Sequence, residues 1–205
     1  MNDDRERFER VGACPACGGV NLRPWKKGSA DLRTLRPEDV KITDNRYGLT
    51  WDLSDCADCS HIFADPCPTP AFLGSLYGAL EDPLYEEEAA GRAMSFRRVL
   101  ARLERLRPEK GRLFDVGAAT GILMNLARER GWEIDGVEPS AWAVAFARDR
   151  YGLAVREGVF ETAAVPPASV DVVTMVDLIE HTARPYDAVR RAAEVIRPGG
   201  LLCVV

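Results

Sequence analysis

Four cysteines form two pairs, Cys14-Pro-Ala-Cys17 and Cys56-Ala-Asp-Cys59, separated by 38 residues. A two-residue gap lets both thiolates of a pair turn onto one metal. Two such pairs supply the four sulfurs of a closed tetrahedral Zn²⁺ site. Gly18 and Gly19 follow the first pair, where a tight turn calls for positive φ. A disulfide pairing would suit a secreted chain, and the seven charges in the first ten residues argue against secretion. A redox CxxC needs a thioredoxin-like strand and helix around it, and the pattern shows neither. His61 stands two residues past Cys59 and can replace a sulfur. With four thiols available it reads as a surface or packing histidine. Cys67 and Cys203 have no partner spacing and read as small apolar residues.

Two further groups could do chemistry. Asp115-x-Gly117-x-Ala119-x-Gly121 follows a short apolar run, and its small residues let the backbone crowd a ligand. A dinucleotide loop of the G-x-G-x-x-G type would need a glycine where Ile122 stands. Asp177-Leu-Ile-Glu180-His181 gathers two carboxylates and an imidazole within five residues. His181 can act as a general base near neutral pH. Asp177, Glu180 and His181 can instead hold Mg²⁺ or a similar ion. The plain alternative is that Glu180 and His181 cap and brace a helix.

The elements that must position these groups follow from periodicity. Tyr47–Leu53 and His61–Ala64 read as strands of a small ribbon, ended by Pro66, Pro68 and Pro70. Arg23-Pro-Trp25-Lys26-Lys27 interleaves basic and aromatic residues and reads as solvated surface. From Thr69 the pattern turns helical. Glu81–Glu88 opens a longer helix whose apolar stripe is Phe96, Val99, Leu100, Leu103 and Leu106, and Pro108 ends it. Tyr77 and Tyr85 can lean over a ligand site. Strand and helix then alternate: Leu113–Val116, a helix ended by Gly131, Glu133–Glu138, and a helix opened by Pro139-Ser140. Ser169–Met175 is the next strand. The helix after it is expected to bury Tyr186, Val189, Ala193 and Ile196, with Arg190 and Arg191 on a solvated face. Such alternation predicts parallel strands with helices on both faces and a ligand at the strand carboxyl ends.

The loop at Asp115–Gly121, the acid Glu138 at the end of the second strand, the strand at Ser169–Met175 and Arg197-Pro-Gly-Gly200 resemble the motifs of class I S-adenosylmethionine-dependent methyltransferases. Ala119 stands where the family's middle glycine is usual. The resemblance covers Gly111–Val205 and implies an α/β, Rossmann-like fold with S-adenosylmethionine as cofactor. It implies cofactor contacts at Asp115, Gly117, Ala118, Ala119, Gly121, Glu138, Phe160, Asp177 and Leu178. Asp115 would accept from the cofactor's ammonium and Glu138 from its ribose hydroxyls. Gly158–Glu161 maps onto the family's adenine loop. Asp177-x-x-Glu180-His181 is similar to E-x-x-E-H of the ubiquinone-biosynthesis O-methyltransferases, with Asp replacing the first Glu. Cysteine pairs ahead of such a domain resemble bacterial methyltransferases of sugar, natural-product or cell-surface biosynthesis. The acceptor implied is a small molecule or carbohydrate precursor. An RNA base methyltransferase with a zinc knuckle, and a non-catalytic zinc- and cofactor-binding protein, are the rival readings.

The net charge of −5 weighs against nucleic acid and anionic membrane as partners. No apolar run approaches the roughly 18 residues of a membrane span, and the chain reads as cytoplasmic. The expected organisation is a zinc-ribbon-like module over residues 1–68, leading helices over 69–107, and the S-adenosylmethionine-binding domain over 108–205. The family usually builds seven strands, and Leu201–Val205 counts as the fifth. The sequence therefore predicts a truncated sheet and weak or absent turnover by this chain.

Overall fold

In the computed structural model, residues 7–31, 34–41, 43 and 50–205 are described. Phe8–Glu9 (β1) is the first strand among the described residues. Two strands of a small antiparallel sheet, Leu22–Lys26 (β2) and Leu53–Cys56 (β3), are joined by Ile62–Ala64 (β4) in the order β2-β3-β4. Of the strand expected over Tyr47–Leu53, residues 47–49 lie outside the described residues. Within them, β3 starts only at Leu53, so Trp51 and Asp52 precede the ladder. Cys67–Pro68 (β5) returns to pair with β1. The basic cluster of β2 is partly neutralised, with Arg23 on Asp55 at 2.5 Å and Lys27 on Asp52 at 2.7 Å.

The leading helices are Pro70–Gly78 (α1), Leu84–Glu87 (α2) and Ala89–Leu106 (α3). Thr69 caps α1 by accepting from the Phe72 amide, as a β-hydroxyl at the N-cap does. The acidic run does not open one long helix. The backbone leaves helical geometry at Glu88, where ψ is 2°, and α2 and α3 are separate. Of the expected stripe, Phe96, Leu100 and Leu103 are buried, while Leu106 is 63% exposed at the last turn.

The remaining elements alternate: Arg112–Val116 (β6), Ile122–Glu129 (α4), Glu133–Glu138 (β7), Ala141–Tyr151 (α5), Arg156–Glu157 (β8), Val170–Met175 (β9), Pro185–Val195 (α6) and Ile196–Val204 (β10). The strands make one parallel sheet in the order β10-β9-β6-β7-β8. The chain starts at the sheet centre, winds outward through β7 and β8, then crosses back to β9. That reversal leaves a crevice at the carboxyl ends of β6 and β9, where ligands of doubly wound folds bind.

Side chains alternate across the sheet. Leu113 and Val172 face a core shared with Phe96, Leu100 and Leu103 of α3 and with Leu123 and Leu126 of α4. Phe114 and Val173 face the opposite core with Ala188, Ala192 and Val195 of α6. The last contact corrects the expected stripe of α6. Tyr186 is 65% exposed and Val189 is 38% exposed. The helix is rotated so that its small residues meet the sheet closely, and Arg191 is drawn inward instead of solvated. Its guanidinium donates to the carbonyls of Ala163 at 3.3 Å and Val165 at 3.0 Å.

One buried charge locks the sheet base. Asp171 accepts from Arg107 at 2.7 Å, Arg197 at 2.8 Å and the Arg112 amide at 2.8 Å. It thereby joins the end of α3, the start of β6 and the start of β10. Burial pushes its carboxyl up, but the Arg112 amide and the two guanidinium groups outweigh that, so it titrates below the ordinary aspartate value. Such a group stabilises above the unfolded pKa, and the stability is lost as pH falls through the lower folded value. Asp171→Asn is expected to cost about 3 kcal/mol at neutral pH, because two arginines lose their partner. Urea unfolding of the two proteins at neutral pH checks this, and an unchanged midpoint would refute it.

Candidate active site

The loop after β6 reverses the chain in a few residues. Gly117 and Gly121 take positive φ, at 72° and 84°, as glycine readily does. Ala119 is also left-handed, with φ 46°, which costs a non-glycine residue about 1–2 kcal/mol. Its amide is thereby turned onto Glu138, donating to Oε2 at 2.9 Å. The other oxygen of Glu138 accepts from the Ser140 amide at 2.8 Å, and the Ser140 hydroxyl caps α5 at Ala143. A Cβ on Gly117 would lie 2.7 Å from the Leu178 side chain, so the loop after β9 closes directly over this turn. Asp177 begins that loop, also left-handed at φ 50°.

These turns open on one cavity of about 800 Å³. It is lined by Gly117, Ala119, Glu138, Phe160, Asp177, Leu178 and His181 among the residues expected from sequence. Asp115, Ala118 and Gly121 lie behind the wall. Asp115 is buried and accepts the Thr174 hydroxyl at 2.6 Å, a bond that ties the end of β6 to β9. Phe160 packs against Phe114 with ring centroids 5.7 Å apart. Ile179–His181 form one 3-10 turn. His181 faces the cavity, edge-on to the Tyr77 ring at 6.2 Å, whereas Glu180 is exposed and away from it. Tyr77 and Tyr85 line the cavity, and burial pushes both phenols up to about 12, so both stay protonated at neutral pH.

Sequence reasoning missed several lining residues. Asp82 sits within an acidic run, where a buried member looks like its exposed neighbours. Trp142 lies on α5 beside Phe146. Thr120 is 1% exposed, borders the cavity, and its hydroxyl has no partner among the described residues.

The four paired cysteines meet in the small N-terminal module. The sulfurs of Cys14, Cys17, Cys56 and Cys59 all lie within 4.8 Å of one another. Cys14–Cys59 and Cys17–Cys56 are each 3.7 Å apart. A tetrahedron of thiolates about 2.3 Å from Zn²⁺ has edges of about 3.8 Å, so the donor set and spacing fit zinc. His61 stacks on Phe63 and is not part of the quartet. Asp177, Glu180 and His181 do not form such a cluster; among the described residues the cysteines alone do.

The sheet order, the turn after β6 and the carboxylate ending β7 define an α/β Rossmann-like methyltransferase fold. The chain belongs to the methyltransferase domain family, whose sequence pattern matches residues 85–205. It is 33% identical over 105 residues to a ubiquinone biosynthesis O-methyltransferase of Azorhizobium caulinodans, covering 48% of this chain and 42% of that protein. A protein of the same name from Azoarcus is 34% identical over 95 residues, covering 43% and 41%. The chain thus spans about two fifths of the length of these curated relatives. Among solved structures, a SAM-bound amino pentose methyltransferase of Micromonospora echinaspora superposes with a TM-score of 0.52 at 26% identity, over 61% of this chain and 56% of that one. A Pyrococcus horikoshii protein shares the fold, with a TM-score of 0.52 at 18% identity over 57% and 54%. No helix among the described residues is long and apolar enough to cross a membrane.

Burial pushes the Asp115 carboxyl up to about 7, against the bond from Thr174 and with Glu138 adding to the rise. An unfolded aspartate titrates near about 3.9. Between those values the folded chain holds a proton that the unfolded chain has released, so stability falls as pH rises through this window. Asp115→Asn should remove that part of the fall. Thermal unfolding of both proteins from about pH 4 to about pH 8 checks this, and parallel profiles would refute it.

Proposed function

We propose that this protein transfers a methyl group from S-adenosylmethionine to a small-molecule acceptor. The observation that carries the reading is the pairing of Glu138 with the left-handed turn at Ala119 on the cavity wall. The turn keeps the wall narrow where the amino-acid part of the cofactor would lie. Each Glu138 oxygen accepts one backbone amide, which leaves acceptor capacity on both for a ribose diol. Phe160, on the cavity wall, supplies an apolar surface for adenine. Asp115, Ala118 and Gly121 support the turn from behind, and Asp177 and Leu178 close it from β9.

When bound, S-adenosylmethionine supplies an electrophilic methyl group on a sulfonium centre. The chain's task is then alignment and water exclusion. Tyr77, Leu178 and His181 wall the cavity beyond β9, where an acceptor would approach. His181 is the group placed to take a proton from an acceptor hydroxyl. Glu180 is exposed and outside the cavity lining. The O-methyltransferase names of the relatives favour a hydroxyl acceptor, and a carbohydrate precursor offers one. A zinc-ribbon-like role for the cysteine module is part of the same reading, with Zn²⁺ held by Cys14, Cys17, Cys56 and Cys59 as a structural ion that stabilises the small sheet.

Calorimetry with S-adenosylmethionine and S-adenosylhomocysteine tests the cofactor. Both should bind, and Glu138→Gln should weaken both at least about tenfold, since a charge-assisted pair of bonds is lost. Absence of binding by the wild-type protein sinks the reading. Elemental analysis tests the metal: about one zinc per chain is expected from a four-thiolate site. Cys56→Ser should lose it, because Cys56 is fully buried and a hydroxyl is a poor zinc ligand. Retention of full zinc by that variant would overturn the assignment.

A further inference from the structure

Asp82 is a carboxylate that the reading above leaves without work. It is 6% exposed and lies on the wall of the same cavity as Glu138 and Ala119. Among the described residues its side chain is met by the Thr43 hydroxyl, 2.7 Å from one oxygen and 2.8 Å from the other. That hydroxyl has a single proton to give, whereas an ionised carboxylate offers about four acceptor positions. No arginine, lysine or histidine among the described residues is paired with it. A buried carboxylate so poorly compensated is costly unless a donor arrives to complete its shell.

Its place in the cavity is fixed by the main chain. The Leu80 carbonyl accepts the Ser140 hydroxyl at 2.7 Å, and the Asp82 carbonyl accepts the Tyr85 amide at 3.1 Å. Ser140 follows Glu138 by two residues, so the segment carrying Asp82 is fastened at the β7 end of the cavity. His181 stands on the loop after β9. The donors that a cofactor would present at the β7 end are those of its nucleoside, the ribose hydroxyls and the adenine amino group.

We propose that Asp82 is a second carboxylate of the nucleoside subsite, accepting hydrogen bonds from bound S-adenosylmethionine, with Thr43 as its positioning residue. This rests on the cofactor reading above. It also gives Thr43 a part in cofactor binding, because Thr43 reaches across 39 residues of sequence to hold Asp82.

Calorimetry on the whole protein tests it with two probes, S-adenosylhomocysteine and methylthioadenosine. The second keeps the nucleoside and lacks the amino-acid arm. Asp82→Asn, close to isosteric, should weaken both probes about tenfold or more. Thr43→Val should weaken both by less, and the double variant should bind like Asp82→Asn alone, as expected of one coupled unit. Ligand-free unfolding midpoints establish that each variant is folded. Unchanged affinity for both probes in folded Asp82→Asn overturns the proposal. A loss confined to S-adenosylhomocysteine overturns the nucleoside assignment in favour of the ammonium. Binding of neither probe by the wild-type protein overturns the cofactor reading itself, and this proposal with it.

Discussion

Glu138 ties two loops to one carboxylate. One oxygen takes the amide of Ala119, from the turn that ends β6, and the other takes the amide of Ser140, from the cap that starts α5. The first bond requires Ala119 to sit in left-handed geometry, which an L-residue adopts at a cost. The burial of Glu138 is itself unfavourable to its charge, and it raises the carboxyl's pKa. The two amide bonds to Glu138 work against both costs at one point. The narrow turn, the start of α5 and the anchoring of Leu80 on Ser140 all follow from that arrangement. The cavity takes its shape from it.

A second carboxylate does the same for the base of the sheet. Asp171 gathers Arg107, Arg197 and the Arg112 amide, so helix α3 enters the sheet at a fixed angle to β6 and β10. The two acids work at opposite ends of parallel strands. Asp171 has cationic partners and serves the fold. Glu138 has only neutral amides, keeps acceptor capacity and faces the cavity. This difference in partners is the physical basis for reading one as structural and the other as a ligand group. Asp82, with a single hydroxyl, belongs with Glu138 on the same criterion.

The cysteine module is joined to the methyltransferase fold by more than a linker. Phe8 packs edge-on against both Trp51 and Phe72, 6.2 Å and 5.3 Å between centroids. Arg7 lies over the Phe72 ring at 4.2 Å, and Arg184 reaches Glu9 at 3.0 Å. The pairing of β1 with β5 brings the chain back beside α1, which itself lines the cavity. A change in the cysteine module would thus be felt at α1, which lines the cavity.

Much of this was legible in the residue pattern. The glycine-spaced turn, the acid ending the second strand and the paired cysteines carry their chemistry in spacing alone, since each needs only a few consecutive residues to act. The strand–helix alternation set the parallel sheet for the same reason. The phase of α6 was not legible. Its large apolar residues, Tyr186 and Val189, outweigh its alanines in any periodic count, yet only small side chains let the helix approach the sheet. The break at Glu88 was equally hidden, because no glycine or proline marks it. Nor could sequence separate Asp115, buried behind the turn, from Glu138 on the cavity wall, or pick Asp82 out of its acidic run. Local spacing fixes which groups can act together within a loop. Burial, orientation and the partner of each charge depend on residues far away in the chain, and only folding brings those into contact.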